Sequence, residues 1–439
     1  MRKISGLYLR LAVCVLLVAL LAACGSKATT TITSSTNPSV IYVHSVAFKS
    51  DSLYAWGANT YGQLGNGDNT GANQYTPIQI PPSATFTNAN VVGVSAGATH
   101  TLAFKNDLNK TVWAWGNNGF GQVGNNSTVI SWTPVQVVID TNNPGTPLTG
   151  ITAVSAGWGH SLALDGSNHV WAWGDNTFGE LGVALTTLSR YFAAEVNNQL
   201  STPLSNIIRI AAGGAHNLAL DSSGEVWSWG NNDSGQLGYS SANQAAKSPI
   251  PNLVTNVDTS ALSHVVAIAA GGAHSLFILN DGTVWACGHN LFGQLGQGGV
   301  DTTDRKLGVV QVTGLPTGAG FTPIAVAAGR DHSLVLMDGG SVWAWGYNYS
   351  VGNGVVPAAD AAVTTPVQVL ISAGTPLSGI TKIVAIGDHS LALNGTTGQL
   401  WAWGVNSYGQ LGQGGSDTTN RYFATPVAGF STGSDLYAP

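Results

Sequence analysis

Histidine is the side chain whose type and spacing most strongly suggest chemistry in this 439-residue chain. An imidazole titrates near neutral pH and serves many proteins as a general base or a metal ligand. A residue that recurs once per repeat unit, however, is spread among the units and is not expected to converge on one ion. A buried neutral imidazole also needs hydrogen-bond partners. We therefore predict that the repeated histidines are structural staples between strands: His44, His100, His160, His216, His274, His332 and His389.

Other reactive side chains form no clear site in the sequence. Cys287 and His289 stand two positions apart, but a zinc site needs about four ligands and no second cluster follows. Cys287 is therefore expected to be a small buried packing residue. The repeated Gly-Gln-Leu-Gly segments lack the lysine and the helix of a phosphate-binding loop. No Ser-His-Asp order or paired carboxylates stand out, so the sequence predicts no enzyme, no metal and no cofactor, although a site assembled across units stays open.

The histidines begin a segment that returns throughout the chain. HSLALDGSNHVWAWG, at 160–174, recurs from residues 216, 274 and 332, with looser copies from 100 and 389 and a truncated one from 44. The position before the last glycine recurs at intervals of 59, 58, 56, 58, 58 and 58 residues. A fixed period of this length indicates a repeat architecture. The seven positions are Trp56, Trp115, Trp173, Trp229, Cys287, Trp345 and Trp403.

Each unit predicts four short strands. In the fifth unit, runs that suit buried strands lie at 265–270, 274–279, 283–287 and 309–312. An Asn-Asp-Gly turn signal separates the second run from the third. Thr-Pro opens the fourth strand in four other units, and proline is tolerated at a strand start or on an edge strand, so this strand is expected at the rim. No helical period is present, which makes the fold all-β.

The Trp-Ala-Trp segments favour a closed ring of stacked sheets. Because alternate residues of a strand share one face, Trp113 and Trp115 project to one side and Ala114 to the other. Each tryptophan pair is expected to fill against the alanine and glycine of the next blade. Neither end of the repeats carries a polar capping unit, which an open stack requires. We therefore predict a β-propeller of seven four-stranded antiparallel blades.

The motifs of the repeat resemble those of a known family. His-Ser-Leu-Ala-Leu, Val-Trp-Ala-Trp-Gly-Asn-Asn, Gly-Gln-Leu-Gly and Thr-Pro-Val-Gln-Val recur in phase across residues 40–428. They resemble the repeat of the regulator of chromosome condensation family, which implies a seven-bladed β-propeller. Three units depart from the pattern. The first has Ile41 in place of the loop glycine, the third lacks proline in its rim strand at 194–196, and the sixth has 347–352 without the Gly-Gln-Leu-Gly run.

The first unit lacks a recognisable inner strand. Residues 30–38 or the tail at 433–438 could supply it. We favour the tail, because it would clasp the two ends of the ring together.

Function is expected where the repeats differ, because loops on a rigid scaffold carry binding residues. The loops between the inner strand and the histidine strand surround the hub, and their residues vary from unit to unit. Exposed tryptophan and arginine are frequent interface anchors. We predict protein-binding residues here, namely Trp158, Arg330, Asp331 and Asp388. The alternative is that Trp158 packs on its neighbour and Arg330 pairs with Asp331.

The N-terminal region has the features of an export signal. Basic residues precede an apolar run at 11–24, which is shorter than the roughly 20 residues that span a bilayer. The run ends in Leu-Ala-Ala-Cys, which resembles the lipobox of bacterial lipoproteins and implies cleavage before Cys24 and lipidation of its thiol. A plain signal peptide that ends in cysteine is the alternative. The sequence thus predicts a signal peptide at 1–23, a Ser/Thr-rich tether at 24–38 and the propeller at 39–439.

Charge and export together narrow the partner class. Removing three of the 15 basic residues with the signal leaves 12 against 21 acidic ones. Nucleic-acid binding normally requires a basic patch, so we predict no nucleic-acid partner. We predict a monomeric, non-enzymatic scaffold, lipid-anchored in the cell envelope (the outer membrane in a Gram-negative cell), that binds an unknown protein. The resemblance implies two alternatives, inhibition of an extracellular enzyme such as a β-lactamase and guanine-nucleotide exchange on a small GTPase. Export disfavours the exchange activity. The segment 157–160 is also similar to a loop motif of the plant ultraviolet-B photoreceptor propeller.

Overall fold

Seven antiparallel sheets arranged as blades make up the fold, as the sequence predicts. The computed structural model describes residues 43–49, 52–83, 85–140, 145–183, 188–239, 246–256, 260–301, 308–357 and 361–430. Within these ranges the fold is all-β, with a single 3-10 turn at Asn348–Ser350. The signal peptide, Cys24, the tether and both candidates for the inner strand of the first blade lie outside the described residues.

The blades share one strand order from hub to rim: inner strand, histidine strand, tryptophan strand and rim strand. The first blade is described by its outer three strands, β1 (His44–Lys49), β2 (Ser52–Gly57) and β3 (Gln74–Gln79). The second blade contains β4 (Val91–Ala96), β5 (His100–Lys105), β6 (Val112–Gly116) and β7 (Ser131–Gln136). The third contains β8 (Ile151–Ala156), β9 (His160–Asp165), β10 (Val170–Asp175) and β11 (Ser189–Glu195).

The remaining blades follow the same order. The fourth contains β12 (Ile207–Ala212), β13 (His216–Asp221), β14 (Val226–Asn231) and β15 (Lys247–Leu253). The fifth contains β16 (Val265–Ala270), β17 (His274–Leu279), β18 (Val284–Gly288) and β19 (Val310–Gln311). The sixth contains β20 (Pro323–Ala328), β21 (His332–Met337), β22 (Val342–Tyr347) and β23 (Ala362–Gln368). A small hairpin, β24 (Leu370–Ser372) and β25 (Thr375–Pro376), leads to the seventh, with β26 (Ile380–Ile386), β27 (His389–Asn394), β28 (Leu400–Gly404) and β29 (Arg421–Pro426).

The Trp-Gly step is a bulge between the tryptophan strand and the rim strand. In the second blade the register shifts between Ala114 and Gly116, which places Trp115 at the irregularity. Gly116 has a φ of 107°, and a Cβ atom there would lie 2.5 Å from the carbonyl oxygen of Thr99. Only glycine tolerates both the positive φ and this close approach. The repeated glycine is therefore a steric requirement of the bulge.

The hydrophobic core lies between neighbouring blades. Trp173 packs with Leu102, Val112 and Ala114, which all belong to the second blade. The indoles therefore fill against the preceding blade, and the predicted direction, toward the next one, is wrong. Alternation along a strand shows that two side chains share a face, but it does not show which neighbour that face meets. Each buried indole removes about 200 Å² from water, or roughly 5 kcal/mol of gross hydrophobic stabilisation.

The seventh blade packs on the first and closes the ring. Trp56 is fully buried against Leu391 and Ala402 of the seventh blade. Its Nε1 donates a hydrogen bond to the carbonyl oxygen of Gln410 at 2.8 Å, and Ser45 Oγ donates to the same oxygen at 2.9 Å. The equivalent bonds join the second and third blades, so the interface that closes the ring is built in the same way as that one.

Candidate functional site

Each repeated histidine bonds to a side chain of the next blade. His100 Nε2 of the second blade lies 2.9 Å from Ser161 Oγ of the third. The Ser161 hydroxyl donates to the carbonyl oxygen of Gln122 at 2.8 Å, and Trp173 Nε1 donates to that same oxygen at 2.9 Å. Because the hydroxyl hydrogen is used on the carbonyl, the imidazole must be the donor through Nε2. We call this four-membered arrangement the inter-blade joint.

The histidine bond of the joint recurs around the whole ring, with Nε2 distances of 2.7–3.0 Å. The pairs are His44–Thr101, His100–Ser161, His160–Asn217, His216–Ser275, His274–Ser333, His332–Ser390 and His389–Ser45. The sequence suggested partners between strands, whereas these partners lie on the following blade. The imidazoles are consequently distributed around the disc, one per interface.

Burial lowers the pKa of six joint imidazoles. It lowers the pKa of His44, His100, His216 and His332 to about 3. It lowers the pKa of His160 and His274 to about 4, where nearby acceptors and carboxylates offset part of the effect. An imidazole with such a pKa is uncharged at neutral pH, and its Nε2 hydrogen is already donated within the joint. Neither property suits a catalytic base.

The fifth blade replaces the buried tryptophan with a cysteine. Cys287 is fully buried, and its Sγ lies 3.5 Å from the carbonyl oxygen of Gln236. Burial raises the pKa of the Cys287 thiol to about 12, so the thiolate nucleophile is absent at neutral pH. Phe277 packs in the same cluster, at a position where the other histidine strands carry alanine or valine. The phenyl ring thus fills volume that the missing indole leaves.

Potential metal ligands do not cluster in the part of the chain that the structure describes. No group of three or more histidine, cysteine, aspartate or glutamate side chains there could hold a metal ion.

A cavity of about 500 Å³ lies along the hub. It is lined mainly by alanine and aliphatic residues, with Thr381 and Lys382 among the polar ones. No carboxylate or imidazole lines it, so this cavity holds no acid–base pair. Within the described ranges, no helix combines the length and apolar character that crossing a membrane requires.

The hub loops of successive blades contact one another on one face of the disc, which we call the hub-loop face. The backbone N–H of Trp158 donates to the carbonyl oxygen of Gly214 at 3.1 Å. A Cβ atom on Gly214 would lie 2.7 Å from the Trp158 indole. A Cβ atom on Gly272 would likewise lie 3.1 Å from Arg330 Cγ. The backbone N–H of Gly214 donates to the carbonyl oxygen of Gly271 at 3.0 Å, and this bond links the loops that contain Gly214 and Gly272. Trp158 therefore packs on its neighbour, and two glycine loops separate it from Arg330.

The other three predicted binding residues form one charged cluster. Arg330 Nε lies 2.9 Å from Asp331 Oδ2, and Arg330 Nη2 lies 3.0 Å from Asp388 Oδ2. Gln294 Nε2 donates to Asp331 Oδ1 at 3.2 Å, and His289 Nδ1 lies 3.6 Å from that oxygen. The pairing of Arg330 with Asp331 that the sequence suggested is present. Asp388, from the next blade, joins it.

The two carboxyl groups of the charged cluster differ in their electrostatics. Burial would raise the pKa of Asp331, but His289 and Arg330 outweigh it and hold this pKa below its ordinary value. Burial raises the pKa of Asp388 to about 7, although Arg330 opposes the shift. Asp388 is 4% exposed, and its Oδ1 has no hydrogen-bond partner among the described residues. Buried polar atoms normally have a partner, so this enclosed oxygen is an unsatisfied polar atom within the charged cluster.

A strip of aromatic rings continues outward from the charged cluster across three blades. The aromatic strip consists of Phe292, Tyr347, Tyr349 and Tyr422, all half-buried. Their successive ring centroids lie 5.0, 5.2 and 6.1 Å apart. His289 joins the strip to the charged cluster, because its ring centroid lies 6.5 Å from that of Phe292. Tyr347 N–H also donates to the backbone carbonyl of Asp331 at 2.8 Å.

Sequence reasoning missed the aromatic strip, although a signal for it was present. The loop after the tryptophan strand has nine steps from Trp403 to Gly412 in the seventh blade, but only seven from Trp345 to Gly352 in the sixth. This shorter loop places Tyr347 and Tyr349 side by side. The departure was visible as a broken motif, but its contacts with the flanking blades required the three-dimensional arrangement.

The third blade carries two acidic residues on the same face, buried Glu180 and half-buried Asp175. Glu180 stands where other blades have glutamine and is 1% exposed. In the fourth blade the matching Gln236 donates Nε2 to Asn231 Oδ1 at 3.2 Å, and the residue that matches Asn231 in the third blade is Asp175. Burial, and then the charge of Asp175, raises the pKa of Glu180 to about 8. Glu180 is therefore largely protonated at neutral pH.

Comparison with known proteins agrees with this architecture. A family model described as the RCC1-like domain matches residues 30–378 and 193–435. The human E3 ubiquitin-protein ligase HERC2 is 28% identical over 377 residues, which are 85% of this chain but only 7% of HERC2. The ultraviolet-B receptor UVR8 of Arabidopsis thaliana is 28% identical over 386 residues, 86% of this chain and 78% of the receptor. The structure of yeast RCC1 (Prp20) bound to Kap60 has the same fold, with a TM-score of 0.69, 22% identity, and coverage of 92% of this chain and 89% of that chain. The chain belongs to the RCC1-like domain family.

Proposed function

We propose that this protein is a non-enzymatic scaffold that binds a protein partner through its hub-loop face. The observation that carries the proposal is the break in the repeat at the fifth to seventh blades. There the largely buried charged cluster and the half-buried aromatic strip adjoin each other on this face, with His289 between them. Aromatic and arginine side chains are enriched among residues that dominate binding energy. The related yeast RCC1 was solved in complex with a protein, Kap60, which supports a binding role.

The proposed binding face can be tested by affinity capture. Full-length tagged protein, solubilised from its membrane, would be incubated with cell-envelope extract and the captured proteins identified. Replacing Trp158, Arg330 and Asp331 together with alanine should abolish capture of a specific partner. The control is Asp338→Asn, because Asp338 is exposed and follows β21 on the opposite face. Equal capture by the triple variant and the wild type would place the binding surface elsewhere.

The proposal includes export and a lipid anchor at Cys24. It is supported by the apolar run at 11–24, its Leu-Ala-Ala-Cys end, and the polar tether that follows. Metabolic labelling with an alkyne analogue of palmitate should mark the wild-type protein, and Cys24→Ala should remove the label. A wild-type protein without label would contradict the anchor and leave the binding proposal intact.

Guanine-nucleotide exchange is the second candidate, and the similarity to yeast RCC1 is what favours it. Release of a fluorescent nucleotide from a panel of small GTPases tests it directly. Export would keep this protein away from small GTPases in the cell, so exchange activity would have no target there, and we expect no acceleration. Inhibition of an extracellular enzyme is a special case of partner binding, and an assay of β-lactamase turnover with added protein tests that case.

A further inference from the structure

The charged cluster has more acceptor capacity than its own arginine uses. Arg330 bonds to one oxygen of each carboxylate, Asp331 Oδ2 and Asp388 Oδ2. One guanidinium thus faces two acidic groups, and Asp388 Oδ1 is left buried without a partner among the described residues. Leaving such an acceptor unsatisfied carries a desolvation cost. Because the atom is enclosed, an external donor reaches it only when a side chain of the charged cluster moves aside, and it would then recover part of that cost.

The aromatic strip supplies a second feature that favours a cation. The electron-rich faces of tyrosine and phenylalanine attract ammonium and guanidinium groups within about 6 Å of the ring centre. Tyr347 connects the strip to the backbone of Asp331, and the Ser350 hydroxyl donates to the backbone carbonyl of Asp388 at 2.8 Å. The acidic acceptor and the aromatic rings therefore belong to one surface. The chain as a whole carries a formal charge of −6 at pH 7, which attracts basic partners over a longer range.

We propose that the partner presents a basic segment, in which one lysine or arginine side chain bonds to Asp388 Oδ1 while neighbouring residues lie along the aromatic strip. This inference rests on the proposed function and specifies the chemistry of its partner. A neutral or acidic segment would leave the Asp388 oxygen without a charged donor. A basic segment satisfies it and gains contact with Tyr347 and Tyr349 as well.

Binding of defined peptides tests the inference without a known partner. The probe is a short fluorescent peptide that alternates lysine and tyrosine, and its matched control replaces every lysine with glutamate. Fluorescence anisotropy with the full-length protein should show binding of the lysine peptide only. Asp388→Asn should weaken it by about tenfold, the usual effect of losing a charge-assisted hydrogen bond. Tyr349→Ala should weaken it several-fold, and Asp338→Asn on the opposite face should leave it unchanged.

The outcomes separate this inference from the function on which it rests. Equal binding of the lysine and glutamate peptides, or unchanged affinity in Asp388→Asn, would overturn it. Circular dichroism and thermal melting of each variant would establish that weaker binding does not reflect unfolding. Where envelope capture succeeds but the lysine peptide neither binds nor competes with the captured protein, the scaffold function stands and the basic segment is wrong. Where envelope capture itself fails, the proposed function fails with it.

Discussion

The inter-blade joints and the hub-loop face of the fifth to seventh blades use polar side chains in opposite ways. In the joints, each donor meets its acceptor within the ring, as in the bonds from His332 to Ser390 and from Trp403 to Ser350. On the hub-loop face, Asp388 has a buried oxygen without a partner among the residues that the structure describes, and the rings of Tyr347 and Tyr349 are half-buried. The Nδ1 atoms of the joint histidines also lack a partner among the described residues, but they lie between blades, whereas the aromatic strip and the charged cluster lie on the hub-loop face. This difference indicates that the repeated residues of the joints stabilise the fold. Partner binding is expected where the repeat is broken, on the hub-loop face of the fifth to seventh blades.

The largest expected effect is loss of the joints in acid. Six joint histidines have folded-state pKa values of about 3 to 4, below the ordinary value of 6.5. At pH values between these two limits, the unfolded chain binds more protons than the folded protein does. The free energy of unfolding therefore falls as pH decreases from 6.5. Six such groups give a slope of up to ~8 kcal/mol per pH unit. Urea unfolding between pH 7 and pH 4 measures it, and a flat profile would contradict neutral, buried imidazoles.

Removing one joint indole should have the next largest effect. Trp403 is fully buried between the sixth and seventh blades, whereas its neighbour Trp401 is only partly buried in the same cluster. Trp403→Ala should therefore lower the free energy of unfolding by ~3–5 kcal/mol through cavity formation. Trp401→Ala is the matched control and should cost clearly less. Equal losses in urea unfolding would show that burial between blades is not the cause.

The fifth blade offers a test of volume compensation. Cys287→Trp adds an indole where Phe277 already fills the space, and this overpacking should cost ~1–3 kcal/mol. Phe277→Ala leaves a cavity and should cost ~3–5 kcal/mol. The double variant restores the alanine and tryptophan of the other blades and should recover at least ~1 kcal/mol relative to the sum of the single variants. Strict additivity in a double-mutant cycle would mean that the two residues do not share one volume.

Glu180 should make the protein lose stability as pH rises toward 8. Its folded-state pKa of about 8 lies above the ordinary 4.5, so the folded protein holds a proton that the unfolded chain has released. Stability therefore declines as pH rises from 4.5 to 8. Glu180→Gln supplies the amide found in other blades and should be more stable than the wild type by ~1–3 kcal/mol at pH 9. If both proteins melt at the same temperature from pH 6 to pH 9, Glu180 is not a buried acid.

The repeat was predictable from sequence because each unit repeats the physical constraints of its neighbours. The period fixed by Trp115 and Trp173, the glycine after each, and the turn signals led to seven antiparallel blades. The side of the blade on which Trp173 packs was not predictable, because alternation alone does not distinguish the two neighbours. Arg330 and Asp331 are adjacent in sequence, so their pairing could be foreseen. The approach of Tyr349 to Tyr422 could not be foreseen, because it depends on how two blades are placed relative to each other.

One paired measurement tests the separation of stability from recognition most directly. The unfolding midpoint and the capture of the envelope partner would be determined for His332→Ala and for the double variant Tyr349→Ala/Asp388→Asn. We predict that His332→Ala loses ~1–3 kcal/mol of stability and still captures the partner at low temperature. The double variant should keep a near wild-type midpoint and lose capture. A double variant that captures the partner as well as the wild type would contradict the account, as would one that loses capture only because it unfolds.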